Sequence, residues 1–294
     1  FQPDINKIDY FSWGVSYILN VHFSVGIHQT QIWYCSIYLF SFLIFYFIKG
    51  VMKKNIPSDE QFHVIAAFTE LAPSYEKKMD SELNLFWGWS YQELIGTLLN
   101  AIPDLDHKKV LDLATGKLVI PRAIQTTYPQ VRQIVGLDIT FRMLQLGKES
   151  IGDNRAIDLV CASALEIPLG NNTFDLITCA LATHHMNVKD LLQEMRRIVN
   201  PGGSLIIVDV GASRFWMNPI VQTIIKVLAF LYFLIKEGGS RAWAEASALP
   251  NIRTAADWEK ELDQAGFQDI QTTRLKSRRL WIPDPILIHA KKEI

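Results

Sequence analysis

The stretch VLDLATGKLVIPRA, residues 110–123, reads as one strand, one turn and the start of one helix. Its apolar run is short, a Thr-Gly pair breaks it, and Pro121 stands where a proline suits the first position of a helix. Further runs repeat the theme: QIVGLDI (133–139), AIDLVCA (156–162), FDLITCAL (174–181) and SLIIVDVG (204–211). Strands buried on both faces read as continuous apolar runs, and the gaps here are long enough for crossover helices. The pattern predicts a doubly wound parallel α/β sheet. A ligand in such a sheet lies beyond the carboxyl ends of the strands, beside the first of them. Asp112 within the first strand, Gly116 in the turn after it and Asp138 at the tip of the second are placed accordingly. A carboxylate at that tip can accept hydrogen bonds from both vicinal hydroxyls of a ribose, which a neutral side chain matches poorly.

Downstream, NPGG (200–203) reads as a turn between a helix and the fifth strand. WEKELDQAGF (258–267) reads as an amphipathic helix ended by Gly266, followed by an antiparallel hairpin of two last strands. Arg274, Lys276, Arg278 and Arg279 fall between those strands, as a patch for anionic lipid head groups or as a solvated loop. The segment 216–235, WMNPIVQTIIKVLAFLYFLI, carries Lys226 as its single formal charge. Its length would cross a membrane, but it lies between strands of one sheet. It is expected as an apolar helical insertion (215–237) lying against the membrane or packed on an anchor, with an ordinary core helix as the alternative.

Upstream, Tyr10 to Ile48 contains no Asp, Glu, Lys or Arg, and IWYCSIYLFSFLIFYFI (32–48) is almost wholly apolar. At 1.5 Å per residue this run reaches roughly 26 Å, close to a hydrocarbon core of about 30 Å. An N-terminal transmembrane helix at about 31–49 is predicted, with 10–27 as an interfacial segment or a weaker second span. Lys49, Lys53 and Lys54 follow it, which places the downstream domain on the cytoplasmic or equivalent side of a single-pass protein. The chain opens on Phe1 rather than Met, so a removed leader stays open.

The 294 residues therefore divide into an anchor (1–55), a helical lid (56–104) and an α/β domain (105–294). The formal charge of -1 supplies no field for a nucleic-acid backbone. The 3 cysteines, Cys35, Cys161 and Cys179, have no metal or redox spacing and suit a reducing compartment. A mean hydropathy of +0.11 is high for a soluble enzyme, and the excess sits in the two apolar segments.

Taken in order, VLDLATGKLVIPRA, GLDIT with Met143, NNTFDLI, the His184–His185 pair, RIVNPGGSLIIVD and ILIHAKK (286–292) resemble the motifs of class I S-adenosylmethionine-dependent methyltransferases. The branch with the ubiquinone/menaquinone C-methyltransferases is the most similar, over roughly residues 62 to 292. The resemblance implies a Rossmann-like methyltransferase sheet with S-adenosyl-L-methionine as cofactor. It implies Asp138 as the ribose-binding acid, with Ile139 and Met143 beside the adenine. Asp112, Ala114 and Gly116 would form the first-strand motif near the methionine part, and Ser163 and Ala164 would stand at the adenine amino group. Ala180 and Leu181 would floor the transferred methyl, and APSYE (72–76) would bring Tyr75 to the cofactor.

Two positions depart from the family pattern. Lys117 and Leu118 follow Gly116 where relatives carry further glycines, which let the backbone approach a ligand or take positive φ. Ser163 replaces an acid. Methyl transfer needs alignment, exclusion of water and, for a protonated acceptor, a base, but no metal. His184, His185 and Glu76 are the candidate bases, against ordinary capping or lid roles. The implied function is a membrane-tethered methyltransferase acting on a hydrophobic acceptor such as a quinone, pigment or lipid. The alternative is a catalytically degenerate accessory subunit of a membrane protein complex, which the two departures favour.

Overall fold

A computed structural model describes residues 57–152, 156–279 and 282–293. The chain divides into two compact units, Phe1–Asn55 and Ile56–Ile294. The transmembrane and interfacial helices expected at 31–49 and 10–27 lie outside the described residues.

The second unit is built on a seven-stranded sheet ordered β3-β2-β1-β4-β5-β7-β6. Its strands are β1 (Lys109–Leu113), β2 (Gln133–Asp138), β3 (Ile157–Cys161), β4 (Phe174–Ala180), β5 (Val199–Asp209), β6 (Phe267–Arg274) and β7 (Ile286–Lys292). β1 to β5 are parallel; β7 runs antiparallel between β5 and β6, with Ser204 opposite Lys291 and Asp209 opposite Ile286. The expected hairpin is present, and its second strand is the one inserted into the sheet.

The pleat sorts the side chains into two cores. Leu111, Leu113, Ile177, Cys179, Leu205 and Ile207 point to one face. There they meet α6 (Val188–Ile198) and α9 (Ala255–Gln264), including the fully enclosed Trp258 and Leu262. Burial of such a side chain contributes about 1.5–3 kcal/mol. Val110, Ile134, Leu176, Ile206 and Val208 face the other way, toward α2 (Tyr75–Trp87), α3 (Tyr91–Asn100) and α4 (Val119–Thr127). Helix starts follow local chemistry: Ser90 with Glu93 and Thr254 with Asp257 form reciprocal capping boxes, and the Asn187 side chain caps α6.

Three expectations change. NPGG is not a turn before β5 but lies within it, as an irregularity in which Phe174 pairs with Val199 and Leu176 with Ser204. Gly203 is required there, because a Cβ would come within 2.7 Å of Val199 and 3.0 Å of the Asp175 carbonyl. The insertion after β5 is longer than 215–237: α7 (Pro219–Glu237) is followed directly by α8 (Gly239–Ala248), which packs on α7 and on α1 (Pro57–Leu71). Two of the basic residues before β7 are engaged by the domain. Arg278 pairs with Glu93 at 2.8 Å and donates to the Gly88 carbonyl at 2.7 Å, and Arg279 reaches the Asn84 carbonyl.

α7 is the helix among the described residues that is long and apolar enough to cross a membrane, with mean hydropathy 1.7 and 6% of that window buried. Ile220, Ile224, Leu228, Leu231 and Ile235 recur at helical spacing and are all exposed, Ile235 to 81%. Among the described residues nothing covers this stripe.

Candidate functional site

At the tips of β1 and β2 the chain forms a cradle. Asp138 ends β2, and its Oδ2 accepts the Gly116 amide at 2.8 Å while Oδ1 accepts the Thr140 amide at 2.7 Å. The Thr140 side chain bonds to it as well, and a carboxylate offers about four lone-pair sites, so acceptor capacity remains for a ligand. Gly116 has φ +54°, and a methyl added there would meet only the Tyr75 ring, 3.8 Å away. Tyr75 therefore stands over the loop, and burial pushes its hydroxyl up to about 12. Glu76, next to it at the start of α2, is an ion-pair clasp, 3.4 Å from Lys117 and 3.6 Å from Arg122. It ties α2 to the loop and to α4, a task that occupies the carboxylate considered above as a base.

Asp112 lies within β1. It is fully enclosed, and the hydroxyls of Thr115 and Thr178 each donate to it at 2.6 Å, bracing the loop against β4. Burial, opposed by those two bonds, raises its carboxyl to about 7. Ala114 is left-handed at φ 52° and half-buried. Ile139 is half-buried at the rim; Met143, on α5 (Phe141–Ile151), and Ala164 are buried. The Ser163 hydroxyl accepts the Leu165 amide at 3.2 Å, a local turn bond. Ala180 and the left-handed Leu181 are half-buried at the end of β4, and the Leu181 amide donates to Val208 on β5 at 2.8 Å.

Leu118 proves not to intrude on the ligand space. Its backbone is left-handed, φ 63° and ψ 31°, the conformation that a glycine would supply. Its side chain is fully buried in the core, filling the room left by two other glycines: a Cβ on Gly136 would lie 2.9 Å from Leu118 Cδ2, and one on Gly147 would lie 2.7 Å from its Cγ. The bulk expected in the loop has been turned into the domain interior.

Beyond β4, a short 3-10 turn (Thr183–His185) presents the histidine pair. Asp209, the last residue of β5, takes His184 Nδ1 at 2.6 Å, the His184 amide at 3.1 Å, the Val210 amide at 2.7 Å and the Thr183 hydroxyl. Burial works against charge on both members, yet their mutual attraction prevails: the Asp209 carboxyl is lowered and the His184 imidazolium is favoured. An ionised Asp209 can only accept, so Nδ1 carries the hydrogen and Nε2 holds the lone pair of neutral His184. His185 differs, because burial and the neighbouring His184 lower its basicity.

His184, His185 and Glu245 bring ligand-capable atoms within 4.8 Å of one another. The donor set suits a metal poorly, because the guanidinium of Arg241 already lies 3.1 Å from Glu245 Oε1 and Asp209 holds His184 Nδ1. Asp209, Thr183, Arg241 and Glu245 did not emerge from sequence reasoning. Asp209 left one signal, an acid closing an otherwise apolar strand in SLIIVDV; Arg241 left none.

A family model described as "Methyltransferase domain" matches residues 111–207. The demethylmenaquinone methyltransferase of Lysinibacillus sphaericus is 27% identical over 225 residues, covering 71% of this chain and 88% of the relative. The ubiquinone/menaquinone biosynthesis C-methyltransferase UbiE of Paraburkholderia xenovorans is 30% identical over 180 residues, 58% of this chain and 71% of the relative. Among solved structures, the YcgJ protein of Bacillus subtilis has a TM-score of 0.54 at 17% identity, covering 69% of this chain and 100% of that one, which is a likeness of fold.

Proposed function

The chain belongs to the class I S-adenosylmethionine-dependent methyltransferases, in the branch of the ubiquinone/menaquinone C-methyltransferases, and from that membership we propose a membrane-associated enzyme whose acceptor is a hydrophobic small molecule such as a quinone, pigment or lipid. S-adenosylmethionine is the cofactor; when bound it supplies an electrophilic methyl group on a sulfonium. The Asp138 cradle carries the reading. Its two loop amides are in place, its remaining lone pairs suit ribose hydroxyls, and Leu118 leaves the loop's ligand side clear. The non-catalytic alternative rested on Leu118 and Ser163, and the inward packing of Leu118 removes the stronger of these supports.

Tyr75, clasped by way of Glu76, covers the cradle and excludes water. Asp209 orients His184 so that Nε2 receives the proton an acceptor O–H or C–H gives up as the new bond to the methyl carbon forms. Such a base contributes about 10²–10⁴-fold. The adjacent carboxylate stabilises the imidazolium that results. The exposed stripe of α7 supports membrane association, lying in the interface as an amphipathic helix does.

Calorimetric titration of the detergent-solubilised chain with S-adenosylmethionine and S-adenosylhomocysteine tests the reading. Micromolar binding that Asp138→Ala abolishes is expected; absence of binding to the unaltered chain at millimolar ligand refutes it. For the membrane, the triple substitution Ile224→Ser, Leu228→Ser, Ile235→Ser should reduce co-sedimentation of residues 56–294 with anionic vesicles while keeping cofactor affinity. Unchanged sedimentation would refute a role for α7.

A further inference from the structure

Arg241 sits on α8 with 4% of its surface exposed, the guanidinium between the rings of Phe68 (5.0 Å) and Phe233 (5.3 Å). One nitrogen, Nη2, does most of the bonding, to Glu82 Oε2 at 3.1 Å and beside Glu245 Oε1 at 3.1 Å. Nη1 has no hydrogen-bond partner, and Nε has only a 3.9 Å ion pair with Glu237. His185 Nδ1, Glu82 Oε1 and Glu245 Oε1 are likewise buried without a hydrogen-bond partner in the geometry. Buried polar atoms are normally paired, so several left bare in one place need a reason.

These atoms are not scattered. Glu245 Oε1 lies 3.1 Å from Arg241 Nη2 and 3.5 Å from His185 Nε2, so a single carboxylate oxygen spans the two side chains. The Phe68 ring stands edge-on to His185 at 5.4 Å and 6.4 Å from Tyr75, which itself covers Gly116. The cluster therefore adjoins the cofactor cradle on the side of the histidine pair. All of it beyond His185 comes from α1, α2, α7 and α8, helices outside the sheet.

The chemistry of the bare atoms is specific. Glu245 is held firmly ionised by Arg241 and His185 despite its burial. Its charge, 3.5 Å from Nε2, favours the His185 hydrogen there and leaves Nδ1 as an acceptor. Arg241 offers only donors. Burial pushes Glu82 up to about 8, so near neutrality it is a carboxyl group rather than a second counter-charge. The bare donors of Arg241 and the bare acceptor of His185, against an aromatic wall, match a group that both donates and accepts on an apolar ring.

We propose that Arg241 and His185 form the oxygen-recognising end of the acceptor site, binding a ring hydroxyl whose hydrogen is donated to His185 Nδ1 and whose oxygen accepts from Arg241 Nη1, with the ring against Phe68. The subsite rests on the methyltransferase reading and adds a selection to it. The hydroxyl-bearing ring is fixed beside His184, which handles the proton, while His185 only positions. An enclosed water could satisfy the same atoms, and it would give no preference among ring ligands.

The probes are 1-naphthol and naphthalene, which differ by one hydroxyl, titrated into the full chain saturated with S-adenosylhomocysteine. The unaltered protein should bind 1-naphthol at least tenfold more tightly. Arg241→Met and His185→Phe should each reduce that preference to less than about threefold without changing S-adenosylhomocysteine affinity. His185→Phe keeps a ring against Phe68 and serves if Arg241→Met does not fold, as judged by circular dichroism. Equal binding of the two probes, no binding of 1-naphthol, or a preference untouched by a folded variant overturns the proposal. Failure of the unaltered chain to bind S-adenosylhomocysteine overturns the methyltransferase reading instead.

Discussion

Replacing Leu118 by alanine and by glycine separates two opposed effects at one residue. The side chain is fully buried against Gly136 and Gly147, so truncation to alanine should cost about 2–5 kcal/mol, as for other leucines removed from a packed core. Its backbone, at φ 63°, carries the left-handed penalty of an L-residue, about 1–2 kcal/mol. Alanine keeps that penalty and glycine relieves it. Elsewhere alanine is more stable than glycine by roughly 0.5–1 kcal/mol; here the order should invert, giving Leu, then Gly, then Ala. Urea unfolding followed by circular dichroism reads the order from the midpoints, and calorimetry should find S-adenosylhomocysteine affinity changed less than about threefold in Leu118→Gly. An alanine variant more stable than the glycine variant would refute the strain argument. A large gain in cofactor affinity for Leu118→Gly would refute the inward placement of the side chain.

Asp209→Asn should lower kcat on the order of a hundredfold or more, with cofactor affinity retained, because the amide no longer fixes the His184 hydrogen on Nδ1. The same substitution should lower a stability maximum that spans about pH 4 to 6.5, leaving the flanks on either side less steep. His184, favoured as imidazolium in the folded state, contributes below its unfolded value near 6.5 and loses that as pH rises through its folded value; Asp209, lowered, contributes above about 3.9 and loses that as pH falls. Unfolding midpoints from below about pH 4 to above about pH 7 check the sign. Asp112 behaves oppositely to an ion-paired acid: raised to about 7, it favours the folded state most below about pH 4 and loses that advantage as pH climbs toward 7. Asp112→Asn should therefore gain on the unaltered protein between pH 5 and pH 8, by a few kcal/mol at most. A constant difference across that range would contradict an enclosed carboxyl.

The parallel strands were legible because burial on both faces leaves a periodicity-free apolar run that few other elements produce. Asp138 was legible for the same reason, as the polar residue at the end of such a run. Leu118 was misleading: its letter shows bulk, while the direction of that bulk depends on a positive φ and on two glycines, Gly136 and Gly147, distant in sequence. The Asp209 to His184 bond joins the ends of neighbouring strands, and Arg241 meets Glu82 across 159 positions, so neither leaves a local spacing to read. NPGG misled in a different way, since the residues that favour a turn also permit an irregular strand to keep its pairing on both sides.

The insertion of β7 between β5 and β6 has a consequence for synthesis on the ribosome. β6 emerges first and pairs within the sheet only through β7, so it waits unpaired until the next strand has been translated. Until then β5 keeps an open hydrogen-bonding edge along Ser204–Asp209, apolar and available to any other nascent chain. The newborn domain is thus most prone to aggregate late in translation, after its parallel strands have formed, and substitutions that slow the docking of β7 should lower soluble yield more than the stability of the finished protein.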